Sequence, residues 1–253
     1  MPLLIRNGHL YIFRIELEMY VYIRVFLDNS MKVGELPEGM EVKKGDYLVV
    51  ETKLGLDIAK SLSDMIEIIP EGTKNTLKVI SKATEEQLRS FRENEGMSKR
   101  NHDKVKSTLR KHLPDINFLK IHFILDKSKV VVYYTSEKRV DFREAVKELA
   151  SIFKTRIEMR QVSSREAFRL MGGIGICGME CCCSKFDVEN DHISANLVKE
   201  QSLSEVNAKL IGPCGKLVCC LSYEQENYKD GKCLICKSAK NNYQEKNRVW
   251  IAE

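Results

Sequence analysis

The stretch Ile174-Gly175-Ile176-Cys177-Gly178-Met179-Glu180-Cys181-Cys182-Cys183 recurs 37 residues later as Ile211-Gly212-Pro213-Cys214-Gly215-Lys216-Leu217-Val218-Cys219-Cys220. The copies agree at Ile, Gly, Cys, Gly and the closing Cys-Cys, so the shared pattern is Ile-Gly-x-Cys-Gly-x3-Cys-Cys. Cys181 falls where the second copy has Val218 and is read as an extra. Adjacent side chains point to opposite faces of a strand and diverge by about 100° on a helix. One member of each Cys-Cys pair is therefore expected to turn inward with the lone upstream cysteine, while the other turns away. If the halves pack as a pseudo-symmetric pair, the inward set is Cys177, one of Cys182 and Cys183, Cys214, and one of Cys219 and Cys220. Four thiolates suit zinc or an iron-sulfur cluster. The glycine after each lead cysteine lets backbone N–H groups approach the sulfur. Redox-active thiols and the plain packing of small apolar residues are the competing readings. The motif lacks the Cys-x2-Cys of a zinc knuckle, which favours a cluster, although its spacer matches no familiar ferredoxin spacing either.

Working outward, 253 residues with 43% hydrophobic and 30% charged content suffice for one large or two to three small domains with real cores. No run of about 18 apolar residues occurs, so no transmembrane segment is expected. The opening Met1-Pro2-Leu3-Leu4-Ile5-Arg6 is charged too early for a secretory signal. Nine cysteines then belong to a reducing, cytoplasmic compartment, as thiols or metal ligands. The net charge of +5 is concentrated between Lys99 and Arg139. It permits an anionic partner without requiring one, and a solvated helix face explains it better than an RNA surface, because aromatic interleaving is weak there.

The fold class is α+β. Residues 1–72 read as a β-rich domain, a small and partly open barrel-like sheet, with strands at Leu10–Leu17, Tyr20–Leu27 and Tyr47–Glu51 and a turn at Asp28-Asn29-Ser30. Residues 73–163 read as a ferredoxin-like βαββαβ unit. Its parts are a strand at Leu77–Ser81, a helix capped by Thr84 and Gln87 with a break at Gly96 and a stop at Pro114, strands at Phe118–Leu125 and Lys129–Thr135, a helix capped by Asp141 and Glu144, and a strand at Arg156–Val162. Phe142, Val146, Leu149, Ile152 and Phe153 line one side of the second helix. Residues 164–230 form the duplicated cysteine region, opened by a helix that Ser163 and Glu166 cap and Gly172-Gly173 ends; a further helix covers Ser194–Gln201. Residues 231–253 are expected as a hairpin of Lys232–Lys237 with Asn247–Ile251, returning to the N-terminal sheet. His102, His112 and His122 show no metal-ligand spacing and are read as surface or satisfied histidines.

The runs Arg139-Val140-Asp141-Phe142-Arg143-Glu144, Phe153-Lys154-Thr155-Arg156-Ile157-Glu158-Met159-Arg160-Gln161, Gly172-Gly173-Ile174-Gly175 and Lys199-Glu200-Gln201-Ser202-Leu203, with Cys177-Gly178, Cys214-Gly215 and Cys219-Cys220, resemble the bacterial YaaT/RicT family. Its domain is named for a yeast polymerase suppressor protein, and the resemblance covers Met19 to Tyr228. It implies a cytoplasmic regulatory protein that is not a self-sufficient enzyme. The implied partners are two small helical proteins, RicA and RicF, in a complex that carries 4Fe-4S clusters, binds a flavin and acts with ribonuclease Y in messenger RNA processing and turnover. In spore formers it implies an influence on sporulation, competence and biofilm formation. Carried onto this chain, the cluster-ligand candidates are Cys177, Cys182, Cys183, Cys214, Cys219 and Cys220. Departures from the pattern are Cys181, the Cys233/Cys236 pair, and Ala59 where the family often has glycine.

The leading functional reading is an iron-sulfur scaffold for an RNA-degrading enzyme. The alternative is a zinc-stabilised RNA-binding module using the basic stretch. A thiol oxidoreductase would rest on the Cys233-x2-Cys236 spacing. Hydrolytic chemistry has little support, because no nucleotide-binding Gly-x4-Gly-Lys loop, His-Glu-x2-His motif or Gly-x-Ser-x-Gly elbow is present.

Overall fold

A computed structural model describes residues 3–6, 9–12, 19–67, 76–186, 193–203, 208–229 and 232–233. Strands β1 (Leu3–Arg6) and β2 (His9–Ile12) pair antiparallel. Residues 13–17 of the expected strand Leu10–Leu17 lie outside the described residues.

β3 (Met19–Val25) and β4 (Ser30–Leu36) are the arms of a hairpin turned by the residues that favour a turn. Asn29 takes a φ of 53°, and Asp28 Oδ1 accepts from Ser30 N at 3.2 Å and from its hydroxyl at 2.6 Å. β5 (Tyr47–Thr52) and β6 (Gly55–Ser61) make a second hairpin, and β6 also pairs with β3. β7 (Thr76–Lys82) runs parallel to β4 and antiparallel to β5. The order β3-β4-β7-β5-β6 thus closes into a barrel. Val21, Ile23, Leu48, Val50, Ile58 and Val79 are buried in this unit, and a Cβ on Gly34 would lie 2.9 Å from a Val79 methyl, so the interior admits only glycine there.

Two expectations change here. The barrel is closed instead of partly open, and β7, expected as the first strand of a ferredoxin-like unit, is the strand that closes it. Without β7 the facing edges of β4 and β5 would leave rows of unpaired backbone groups, and pairing them outweighs membership of a four-stranded sheet. The second sheet accordingly has three strands, in the order β10-β9-β8.

α1 (Glu85–His112) begins with the expected reciprocal cap: Thr84 N donates to Gln87 Oε1 at 2.9 Å and Gln87 N to Thr84 Oγ1 at 3.2 Å. It continues through Gly96 without the expected break and ends just before Leu113-Pro114. β8 (Asn117–Phe123) and β9 (Lys129–Thr135) follow, with Lys127 at φ 59° in the turn. α2 (Arg143–Phe153) is capped by Asp141, whose Oδ1 accepts from Arg143 N at 3.1 Å. Phe142, expected on the apolar side, precedes the first helical turn and is exposed, whereas Ala145 and Leu149 carry the buried face. β10 (Arg156–Gln161) leads into α3 (Ser164–Met171), whose capping box of Ser163 and Glu166 is present and whose end is Gly172 at φ 73°. Short helices α4 (Cys182–Lys185), α5 (Asn196–Glu200) and α6 (Cys220–Tyr223) and the small hairpin of β11 (Tyr228–Lys229) with β12 (Lys232–Cys233) complete the described chain. Lys232–Cys233 pair with Tyr228–Lys229, and the strand expected to pair with them, Asn247–Ile251, lies outside the described residues.

The chain divides into two compact units. One is Met1–Lys104, Ile121–Val131 and Ala150–Glu158; the other is Val105–Lys120, Val132–Leu149 and Met159–Glu253. Each histidine singled out in the sequence has a carboxylate neighbour: His102 Nδ1 lies 3.3 Å from Asp103, His112 Nε2 2.7 Å from Glu148, and His122 Nε2 2.6 Å from the buried Asp57. Among the described residues no helix is long and apolar enough to cross a membrane.

Candidate functional site

The repeated sequence folds into a repeated structure. In the first copy Ile174 bridges Glu180, Gly175 N donates to Met179 O at 2.8 Å, and Gly178 N donates to Gly175 O at 3.0 Å. In the second copy Ile211 bridges Leu217, Gly212 N donates to Lys216 O at 2.8 Å, and Gly215 N donates to Gly212 O at 2.9 Å. Each is a tight hairpin whose third loop residue must be left-handed, and glycine supplies it: φ is 79° at Gly178 and 76° at Gly215. The lead cysteine, one residue earlier, is thereby set at the hairpin tip. Each hairpin runs into a single helical turn carrying the Cys-Cys pair, closed by Phe186 N to Cys182 O at 2.9 Å in one copy and Tyr223 N to Cys219 O at 3.3 Å in the other.

The copies also meet through equivalent positions. The rings of Phe186 and Tyr223, again 37 residues apart in the sequence, lie with centroids 4.9 Å apart. Cys182 and its equivalent Cys219 are electrostatic neighbours, Cys182 also feels Cys177, and Cys219 also feels Cys214. Like touching like is what an approximate two-fold relation between the halves produces. The second members take part as well: Cys183 feels Cys219 and Cys220 feels Cys182, so both cysteines of each pair lie within electrostatic reach of the other copy.

The second members differ from the simple outward expectation. Cys183 is buried, and burial followed by the neighbouring Cys181 pushes its thiol up to about 12. Cys220 is half-buried, its thiol raised first by burial and then by Glu224. Burial also raises Cys182, with Cys177 adding to it, and Cys219, where the Arg165 charge works against burial. Cys181 lies in the place of Val218: its sulfur is 3.0 Å from the hydroxyl of the buried Ser184, while the equivalent Leu221 packs with Ile193, Leu197 and Val198. The extra cysteine is thus one half of a local polar pair standing where the second copy uses apolar packing.

Among the described residues no group of three or more His, Cys, Asp or Glu side chains is arranged to hold a metal ion. The sulfurs of the two copies influence one another's charge without forming a ready-made cage. Cys236 and the side chain of Cys233 lie outside the described residues. A cleft of about 1080 Å³ opens on one side of Cys214, lined by Leu119, Thr135, Gln161, Ser163 and Phe168.

Three participants escaped the sequence reading. Phe186 and Tyr223 were findable, because extending the repeat beyond the Cys-Cys pair aligns aromatic with aromatic. Arg165 was not: it is buried on α3, and its Nη2 donates to the Leu217 carbonyl at 3.0 Å, a contact across 52 residues.

Comparison with known proteins gives consistent matches. Residues 77–162 match the PSP1 C-terminal conserved region, and residues 192–234 match the third domain of PSP1-like proteins. The chain is 36% identical over 216 residues to the Stage 0 sporulation protein YaaT of Bacillus subtilis (strain 168), an alignment covering 85% of this chain and 78% of that protein. No solved structure matches it.

Proposed function

Because the chain belongs to the YaaT/PSP1 family, we propose that it is a regulatory subunit whose duplicated cysteine segment holds a 4Fe-4S cluster. In this reading it acts in the cytoplasm with RicA- and RicF-like partners to modulate ribonuclease Y-dependent processing and turnover of messenger RNA. The observation that supports the inorganic centre is the meeting of the copies at the Phe186 and Tyr223 rings, with the Cys182, Cys183, Cys219 and Cys220 thiols within electrostatic reach across the two copies. The donors are all sulfur, the ligand class of iron-sulfur clusters and soft metal ions. Cys177, Cys182, Cys214 and Cys219 would hold the centre. Cys183 supports it from the buried side, and half-buried Cys220 is the ligand offered to a partner-bridged cluster. Burial raises the Cys182 and Cys219 thiols further above the neutral range, so loading them as thiolates releases protons. When bound, the cluster supplies sensitivity to oxygen and reductant. The protein's part is to fix two hairpins around it and to present one face to its partners. Sporulation, named for the Bacillus subtilis relative, is one process such regulation can serve, and a flavin belongs to the assembled complex in this reading.

The test is anaerobic purification, alone and with the two partners, followed by iron, sulfide and zinc analysis. Brown protein with near-equal iron and sulfide is expected. Colourless protein with stoichiometric zinc under the same conditions overturns the cluster. The zinc-stabilised RNA-binding alternative draws on one observation, the exposed Lys99, Arg100, Arg110 and Lys111 along the second half of α1; it requires RNA binding that falls steeply with added salt.

A further inference from the structure

We propose that Arg165 is a positioning residue for the thiolate centre, supplying a fixed, buried positive charge that offsets the negative charge of the sulfurs. This rests on the reading of the cysteine segment as a thiolate site and adds to it a residue outside both motif copies.

The geometry carries the inference. α3 is held at its start by the Ser163–Glu166 capping box, which fixes the backbone of the first turn from which Arg165 projects. Its side chain is 3% exposed, unusual for an arginine. Nη2 donates to the carbonyl of Leu217, an arm of the second hairpin two residues ahead of Cys219. The guanidinium is thus anchored on the motif itself, and its charge acts on the Cys219 thiol of that copy. Four residues on, one helical turn away, Arg169 lies near Cys183 of the first copy. Arg169 differs in being more exposed and in lying 4.0 Å from the Glu166 carboxylate, which already shares its charge. Arg165 is therefore the stronger counter-charge of the two. A divalent ion or a cluster in four thiolates retains net negative charge, and burying that charge is unfavourable unless a cation is buried with it. Arginine suits the place because it stays protonated in a buried setting and its planar fork can bond a carbonyl while facing a sulfur.

The experiment uses the full chain, prepared anaerobically without metal and titrated with Co(II), whose thiolate-to-cobalt charge-transfer bands report sulfur ligation. Arg165→Gln keeps an N–H for Leu217 and removes the charge; Arg165→Lys keeps the charge. Expected is a Co(II) affinity about tenfold to a hundredfold weaker in Arg165→Gln and largely restored in Arg165→Lys. After cluster reconstitution, the reduction potential of Arg165→Gln should be more negative than that of the parent, because adding an electron to an already anionic centre loses its nearby cation. Equal affinity and potential in Arg165→Gln and the parent overturn the proposal. So does an equal loss in both variants, which marks a structural role, or a circular dichroism spectrum of Arg165→Gln that has lost the parent's fold. If the parent itself gives no charge-transfer bands, the thiolate site fails and this inference with it.

Discussion

The two copies of the cysteine motif share a backbone and differ in everything around it. The hairpin bonds, the left-handed glycine and the following helical turn match pair for pair. The hairpin of the first copy nevertheless stands in solvent, with Ile174, Ile176, Met179 and Cys177 exposed, although its helical turn buries Cys181, Cys183 and Ser184, while the second hairpin lies over a buried cluster of Ile193, Leu197, Val198 and Leu221. The difference teaches that the motif encodes a local shape, and that burial is contributed by whatever segment packs against it.

The largest effect that tests this comparison is loss of the inorganic centre. Cys182→Ala and Cys219→Ala hold equivalent places and should abolish iron and sulfide binding equally, whereas Cys181→Val should leave both intact; iron per chain after anaerobic reconstitution is the measurement. Unequal losses at Cys182 and Cys219 would break the two-fold picture.

Thiol reactivity comes next. In the metal-free chain at pH 8, the exposed Cys177 should be alkylated quickly and the buried Cys183, whose thiol is pushed up to about 12, far more slowly, as read by peptide mass spectrometry over time. The sign of the linked pH effect follows: the folded chain holds the Cys183 proton more tightly than the unfolded one, so this contribution to stability is full below 9.0 and is lost as pH rises toward about 12.

Packing separates the copies further. Leu221→Ala should cost about 2–5 kcal/mol by opening the cluster under the second hairpin, while Ser184→Ala, at the equivalent place, should cost about 1 kcal/mol for a lost hydrogen bond to Cys181; urea unfolding of the metal-free chain checks both. The smallest effect is shared. Gly178→Ala and Gly215→Ala should each cost about 1–2 kcal/mol for a left-handed alanine, and equally, because no atom lies within 4 Å of either added Cβ. Thermal melts that separate these two variants would show that the hairpins are not independent of their surroundings.

Much of this protein was legible along the chain because the deciding signals are local. The Thr84–Gln87 and Ser163–Glu166 caps, the Asp28-Asn29-Ser30 turn and the repeat itself involve residues a few positions apart, and their geometry follows from backbone sterics and nearby hydrogen bonds. Phe142 and Gly96 were misread because apolar periodicity and a lone glycine say little about where neighbouring elements pack.

The sequence by itself determined the Asp28-Asn29-Ser30 turn, the strands at Tyr20–Leu27 and Tyr47–Glu51, the capped helices and the duplication of the Cys-Gly motif. Only the tertiary structure decided that β7 closes the barrel, that Phe186 and Tyr223 bring the two copies together, and that Arg165 reaches Leu217. The reason is physical: strand partners and buried charges are chosen by competition among groups distant in sequence, each seeking to satisfy backbone bonds or offset desolvation, and that competition has no signature within a short window.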